Sequence, residues 1–190
     1  MNRLRLNRAA TALMCLFLWA FAGCSPSSVE IRQRGEAYEI TVSPSNVVLI
    51  LPQGDWAPSK VAKDGAATSP TYFALEDGKG LMLSGWLEPA ERYSGLKPLW
   101  EGDCKAWKEH GAPEPLNVTF TKIGDWDAVL YELSMPQRGA SNTHIRAEWA
   151  GQGTWIDAHM SLTSTLGIAD ARKRIHEVFD GVRVKSKKPS

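Results

Sequence analysis

Four histidines stand in the 190-residue chain: His110, His144, His159 and His176. None has metal-ligand spacing to another histidine or to a cysteine in the local sequence. Strand pairing can still bring two of them together. With Gln152-Gly153 as a two-residue hairpin turn, Trp149 pairs with Ile156, Ala147 with Ala158, Ile145 with Met160 and Thr143 with Leu162. That register gathers the apolar residues on one face. The other face then carries Arg146 opposite His159, Glu148 opposite Asp157, and His144 alongside. Two imidazoles, a guanidinium and two carboxylates would suit proton transfer, hydrolysis or a metal ion. A solvated polar face is the plainer reading, so no catalytic residue, metal ligand or cofactor is assigned. Arg146 and His159 stand as candidate binding residues.

Other chemistry has plain structural readings. Asp125 and Asp127 bracket Trp126, but a turn favours aspartate for local backbone hydrogen bonds. Gly78-Lys79-Gly80 is too short to cradle a phosphate, and there is no serine nucleophile elbow. Trp100, Trp107 and Trp149 fall on expected core faces. Trp56, Trp126 and Trp155 lie in or beside turns, where exposed aromatics grip a partner or stack on a sugar ring.

The elements that must position these residues follow from periodicity. Asn46 to Leu51 reads as a strand closed by Pro52-Gln53-Gly54-Asp55, preceded by a short alternating edge strand over 38–42. Hairpins are expected around Asp77-Gly78-Lys79-Gly80, around Gly124-Asp125-Trp126-Asp127 and at Gln152-Gly153. From Gly95 to His110, Leu96, Leu99, Trp100, Cys104 and Trp107 share one helical face, with a cap near Ser94 and a stop at Gly111. Cys104 then points at the core as an inert small hydrophobe rather than a reactive thiol. A second helix spans about Ile168 to Phe179, followed by a short strand over 182–184. Hairpins grouped together, with two separated helices, predict an α+β domain over 37–184.

The start of the chain speaks about location. Arg3, Arg5 and Arg8 precede an uncharged apolar run over 9–23, the pattern of a secretory leader. That run falls short of the roughly 20 residues a spanning helix needs. Phe21-Ala22-Gly23-Cys24 resembles the lipobox of bacterial lipoproteins, with Phe at the usual Leu position. The resemblance implies cleavage before Cys24 and acylation of its thiol and amine, with palmitate as a labelling substrate. More than one chain, at about 0.8 kcal/mol per buried methylene, makes attachment stable. Ser25 in place of Asp implies sorting to the outer membrane, facing the periplasm. Cys15 leaves with the leader, so Cys104 would be the one free thiol of the mature chain.

Removing residues 1–23 takes three of the 22 basic residues, leaving 19 against 21 acids, a net charge of about −2. Nucleic acid is not an expected partner, because its recognition needs a basic face. Residues 24–36 read as the lipidated cysteine and a flexible tether, and 185–190 as a basic disordered tail.

The element order, Leu51-Pro52-Gln53-Gly54-Asp55-Trp56, the hairpin running to Trp86-Leu87-Glu88-Pro89 and the Ile123-Gly124-Asp125-Trp126-Asp127-Ala128 turn together resemble the Mog1/PsbP-like family. The resemblance implies an α/β/α sandwich with a curved antiparallel sheet between helices. It brings no catalytic residues. It implies a non-enzymatic binding or assembly role toward a protein partner in the cell envelope. An envelope hydrolase and a carbohydrate or peptidoglycan binder are the alternatives.

Overall fold

In strands such as Val47–Leu51 and Leu81–Pro89 buried apolar residues alternate with half-buried ones, while Trp126–Met135 buries apolar residues on both faces. Val47, Leu49 and Leu51 are buried while Val48 and Ile50 are not, so one face of a pleated strand turns inward. The structure, a computed structural model, describes residues 29–43, 45–59, 71–135 and 140–187. The leader, Cys24 with the residues up to 28, and residues 188–190 of the expected tail lie outside them.

The described strands are β1 (Val29–Arg34), β2 (Ala37–Val42), β3 (Val47–Leu51), β4 (Ala57–Pro58), β5 (Tyr72–Glu76), β6 (Leu81–Pro89), β7 (Leu116–Ile123), β8 (Trp126–Met135), β9 (Ala140–Gly151), β10 (Thr154–Ser164) and β11 (Arg183–Ser186). Helix α1 (Leu96–Glu109) follows β6, and α2 (Ile168–Phe179) follows β10. The strands form two antiparallel sheets, ordered β1-β2-β3-β11 and β4-β5-β6-β10-β9-β8-β7.

The expected α/β/α sandwich is therefore corrected. The fold is mostly β, with 54% strand against 21% helix, and it has two sheets rather than one curved sheet between helices. The reason lies in residues taken for tether and tail. Val29–Arg34 pairs along its full length with β2, which makes β2 an interior strand rather than an edge. Lys185 and Ser186 belong to β11, paired with Val48 and Val47. A second sheet thus assembles from both ends of the domain.

The inner face of the small sheet (Ile40, Val42, Val47, Leu49 and Leu51) joins one face of the large sheet and α2 in a single core. Ala171, Ile175 and Phe179 are the residues by which α2 enters it. The opposite face of the large sheet receives α1, where Leu96 and Trp100 meet Val129 and Tyr131 of β8. Ser94 does not cap α1; Gly95 holds that position.

The β9–β10 hairpin has the expected register at every pair, including Arg146 with His159 and Glu148 with Asp157. Gln152 and Gly153 both take positive φ, 51° and 74°, as the tight two-residue turn requires. The β7–β8 turn is tighter than expected, because Trp126 already pairs with Ile123.

Candidate functional site

Three adjacent strands present the site. Side chains alternate across a sheet, so Tyr131 of β8, His144, Arg146 and Glu148 of β9, and Asp157 and His159 of β10 all project from one face. This is the face that α1 covers. Trp100 and Trp107 lie 4.8 and 5.6 Å from the Tyr131 ring, and Cys104 packs beside them.

At one end of the cluster is a chain of near-parallel rings. The Tyr131 and His144 centroids are 4.7 Å apart, and those of His144 and His159 5.1 Å. His144 Nδ1 and His159 Nε2 share a hydrogen bond of 3.0 Å, and the Tyr131 hydroxyl is 3.2 Å from the same Nε2. His144 Nε2 is buried without a partner among the described residues. Burial, with His159 nearby, lowers the His144 pKa to about 3. Burial, aided by Arg146 and partly offset by Asp157, lowers that of His159 to about 4. Both imidazoles are neutral at pH 7. The Tyr131 phenol is pushed well above its usual range, chiefly by burial.

At the other end, one cation meets three acids. Arg146 donates to Asp157 from Nη2 at 2.8 Å and from Nε at 3.2 Å, and from Nε to Glu148 at 3.1 Å. Its Nη1 pairs with Asp103 of α1. Trp155 donates its indole N–H to the second oxygen of Glu148. Burial and the adjacent Asp157 raise the Glu148 pKa, outweighing the opposing pull of Trp155 and Arg146. A proton held on Glu148 reduces the imbalance of three carboxyl groups around one guanidinium.

The structure thus brings His144, Arg146, Asp157 and His159 together and adds Tyr131, Glu148, Trp155 and Asp103. Extending the register argument to β8 would have found Tyr131, which pairs with His144. Asp103 follows Trp100 by three positions and precedes Trp107 by four, the spacing of one helical face. Apart from His144 Nε2, the strong donors and acceptors named here are turned on neighbours in the cluster. Among the described residues, no group of three or more His, Cys, Asp and Glu side chains is placed to hold a metal ion.

The tryptophans separate. Trp56 is buried and donates to the Pro52 carbonyl at 3.1 Å. Trp126 is buried edge-on against Phe179, 5.4 Å between centroids. Only Trp155 stays half-buried, so an exposed platform of all three does not form. Cys104 is half-buried, and burial raises its thiol pKa, which lowers its thiolate fraction.

No protein-family model matches the chain, and no curated protein matches it. Among the described residues, no helix is long and apolar enough to cross a membrane.

Apolar exposure concentrates elsewhere. Strand β7 is the outermost strand of the large sheet, and it exposes Leu116 (49%), Val118 (39%) and Phe120 (49%). Phe120 meets Trp100 edge-on at 6.3 Å.

Proposed function

We propose that the chain is a lipoprotein of the bacterial envelope, acylated at Cys24 and held at the outer membrane facing the periplasm. There it serves as a non-enzymatic binding or assembly module for an envelope protein. The observation that carries the binding role is β7, an outer strand with three exposed apolar side chains. Among the described residues no strand pairs beyond β7; the Asn117 carbonyl accepts from Arg172, but the rest of the edge offers backbone donors and acceptors to another chain, and exposed side chains such as Phe120 supply contact area. The polar cluster supports the non-enzymatic part, because apart from His144 Nε2 its groups are paired with one another beneath α1.

The test is a photo-crosslinking residue at position 120 in cells, with one at exposed Lys173 as control. One discrete adduct from 120 and none from 173, lost when Leu116 is changed to Glu, supports the reading. No adduct at 120, or the same adducts from both positions, overturns it.

The convergence of His144, Arg146, Asp157 and His159 favours a second reading, an envelope hydrolase. Turnover of ester or glycoside substrates that His159→Gln abolishes would support it; absence of turnover removes it.

A further inference from the structure

We propose that the outer face of the four-stranded sheet rests on an anionic lipid surface, an inference that builds on the reading of Cys24 as the anchor. The inner face of this sheet is committed to the core. On the outer face, the ladders align Arg32, Glu39, Ile50 and Arg183 in one row and Glu30, Thr41, Val48 and Lys185 in the next. Arg34 and Lys187 extend the same surface, which is concave and encloses about 530 Å³.

Charge on this face does not balance. Arg32 pairs with Glu30 at 2.5 Å and Arg34 with Glu39 at 2.9 Å. Lys185 and Lys187 have no carboxylate partner among the described residues, and Arg183 donates to the backbone carbonyls of Asp180 and Val182. Four cations, Arg32, Arg34, Lys185 and Lys187, line the concave face against Glu30 and Glu39, which reaches the low end of the about four to eight basic residues expected of a patch that binds anionic lipid. The three C-terminal lysines alone would not; pairing β11 into the same sheet as β1 assembles the patch.

Chain length places it at the membrane. Because β1 begins at Val29, only residues 25–28 separate the sheet from Cys24. Fully extended, that connection reaches about 17 Å. That reach is an upper bound, and it lets the sheet come within one screening length, about 8 to 10 Å, of the headgroups, the range in which a basic patch is attracted. Strand β11 lies three strand spacings from β1, about 14 Å across the same surface, so its lysines reach the headgroups when this face lies flat on them.

The test uses the chain from residue 24 onward carrying Cys24→Ser, which retains every described strand and helix. It is floated with vesicles of phosphatidylcholine alone and with added phosphatidylglycerol. Binding is expected only on the phosphatidylglycerol vesicles, and it falls with salt. Lys185→Ala with Lys187→Ala should lower the partition about 25-fold, fivefold per charge. Lys105→Ala with Lys108→Ala, on α1, should leave it unchanged. Equal binding to both vesicles, no binding to either, or wild-type partition of the β11 variant overturns the proposal. Labelled palmitate on wild type and Cys24→Ser reads the anchor separately, so a failed anchor and a failed face are told apart.

Discussion

Glu148 and Asp157 stand directly opposite each other across the β9–β10 ladder, both buried, and the Arg146 guanidinium bonds to both. Two acids in that position are relieved by the cation and by the raised proton affinity of Glu148. Replacing Arg146 by Met leaves Glu148, Asp157 and Asp103 without it, and such uncompensated buried charge costs about 3 to 5 kcal/mol. Asp103→Asn removes one acid from the more exposed end and should cost under about 1 kcal/mol. Urea unfolding of the two variants checks the contrast, and equal losses would refute the electrostatic account.

The histidine pair sets a pH dependence. In the fold His144 and His159 have pKa values of about 3 and about 4, below the unfolded value near 6.5. Their contribution is fully present above about pH 6.5 and is lost as pH falls through 4 toward 3. Glu148, whose pKa is raised, works in the opposite direction: acidification relieves its burial as a charge. Between pH 6.5 and 4.5, two imidazole protons oppose one carboxyl proton, so stability falls. Each group contributes at most about 1.4 kcal/mol per pH unit. His144→Phe keeps a ring against Tyr131 and removes one of the two protons. Its melting temperature should change little at pH 8 and drop less than wild type at pH 5, as scanning calorimetry would show.

Much of the site was legible because one hairpin carries most of it. Alternation along β9 and β10, with Gln152-Gly153 as the turn, defines the face on which Arg146, His159, Glu148 and Asp157 meet. The span of α2 follows as directly from Ile168, Ala171, Ile175 and Phe179. Sheet count did not, because Val29–Arg34 is polar enough to resemble a tether. Its Val29 and Ile31 reveal their packing only once β2 lies alongside. Trp126 looked like a turn tip between two aspartates. The turn closes at Gly124-Asp125, with Gly124 at φ 57°, and this places Trp126 at the start of β8. Cys24 lies outside the described residues, and its proposed acylation rests on the sequence.

Gly85 is a close approach between strands rather than a point of freedom. A Cβ there would stand 2.1 Å from the Asp157 carbonyl oxygen and 3.0 Å from Phe73 Cζ. The carbonyl belongs to the β6–β10 ladder and cannot retreat without opening it. Gly85→Ala should destabilise by about 4 kcal/mol or more, in the range that marks a core defect. Gly78→Ala meets no atom but keeps a positive φ of 68°, and should cost about 1 kcal/mol. Denaturant titration separates the two, and similar costs would contradict the packing at Gly85.

Trp126 and Trp155 have different roles, one in the core and one at Glu148, and their substitutions should read out differently. Trp126 fills the core against Phe179, so Trp126→Ala leaves a large cavity and costs about 3 to 5 kcal/mol. Trp155 is half-buried, and its indole N–H supports the ionised form of Glu148. Trp155→Phe keeps most of the ring and removes that donor, so the Glu148 carboxyl should hold its proton to higher pH. Carboxyl carbon shifts of Glu148 in labelled protein should show the titration moving upward in Trp155→Phe. In Trp126→Ala the melting temperature should fall, by about 2 to 4 °C per kcal/mol for a chain of this length. An unmoved Glu148 titration in Trp155→Phe would mean that Arg146 and Asp157 alone set its protonation, with the indole bond carrying no weight.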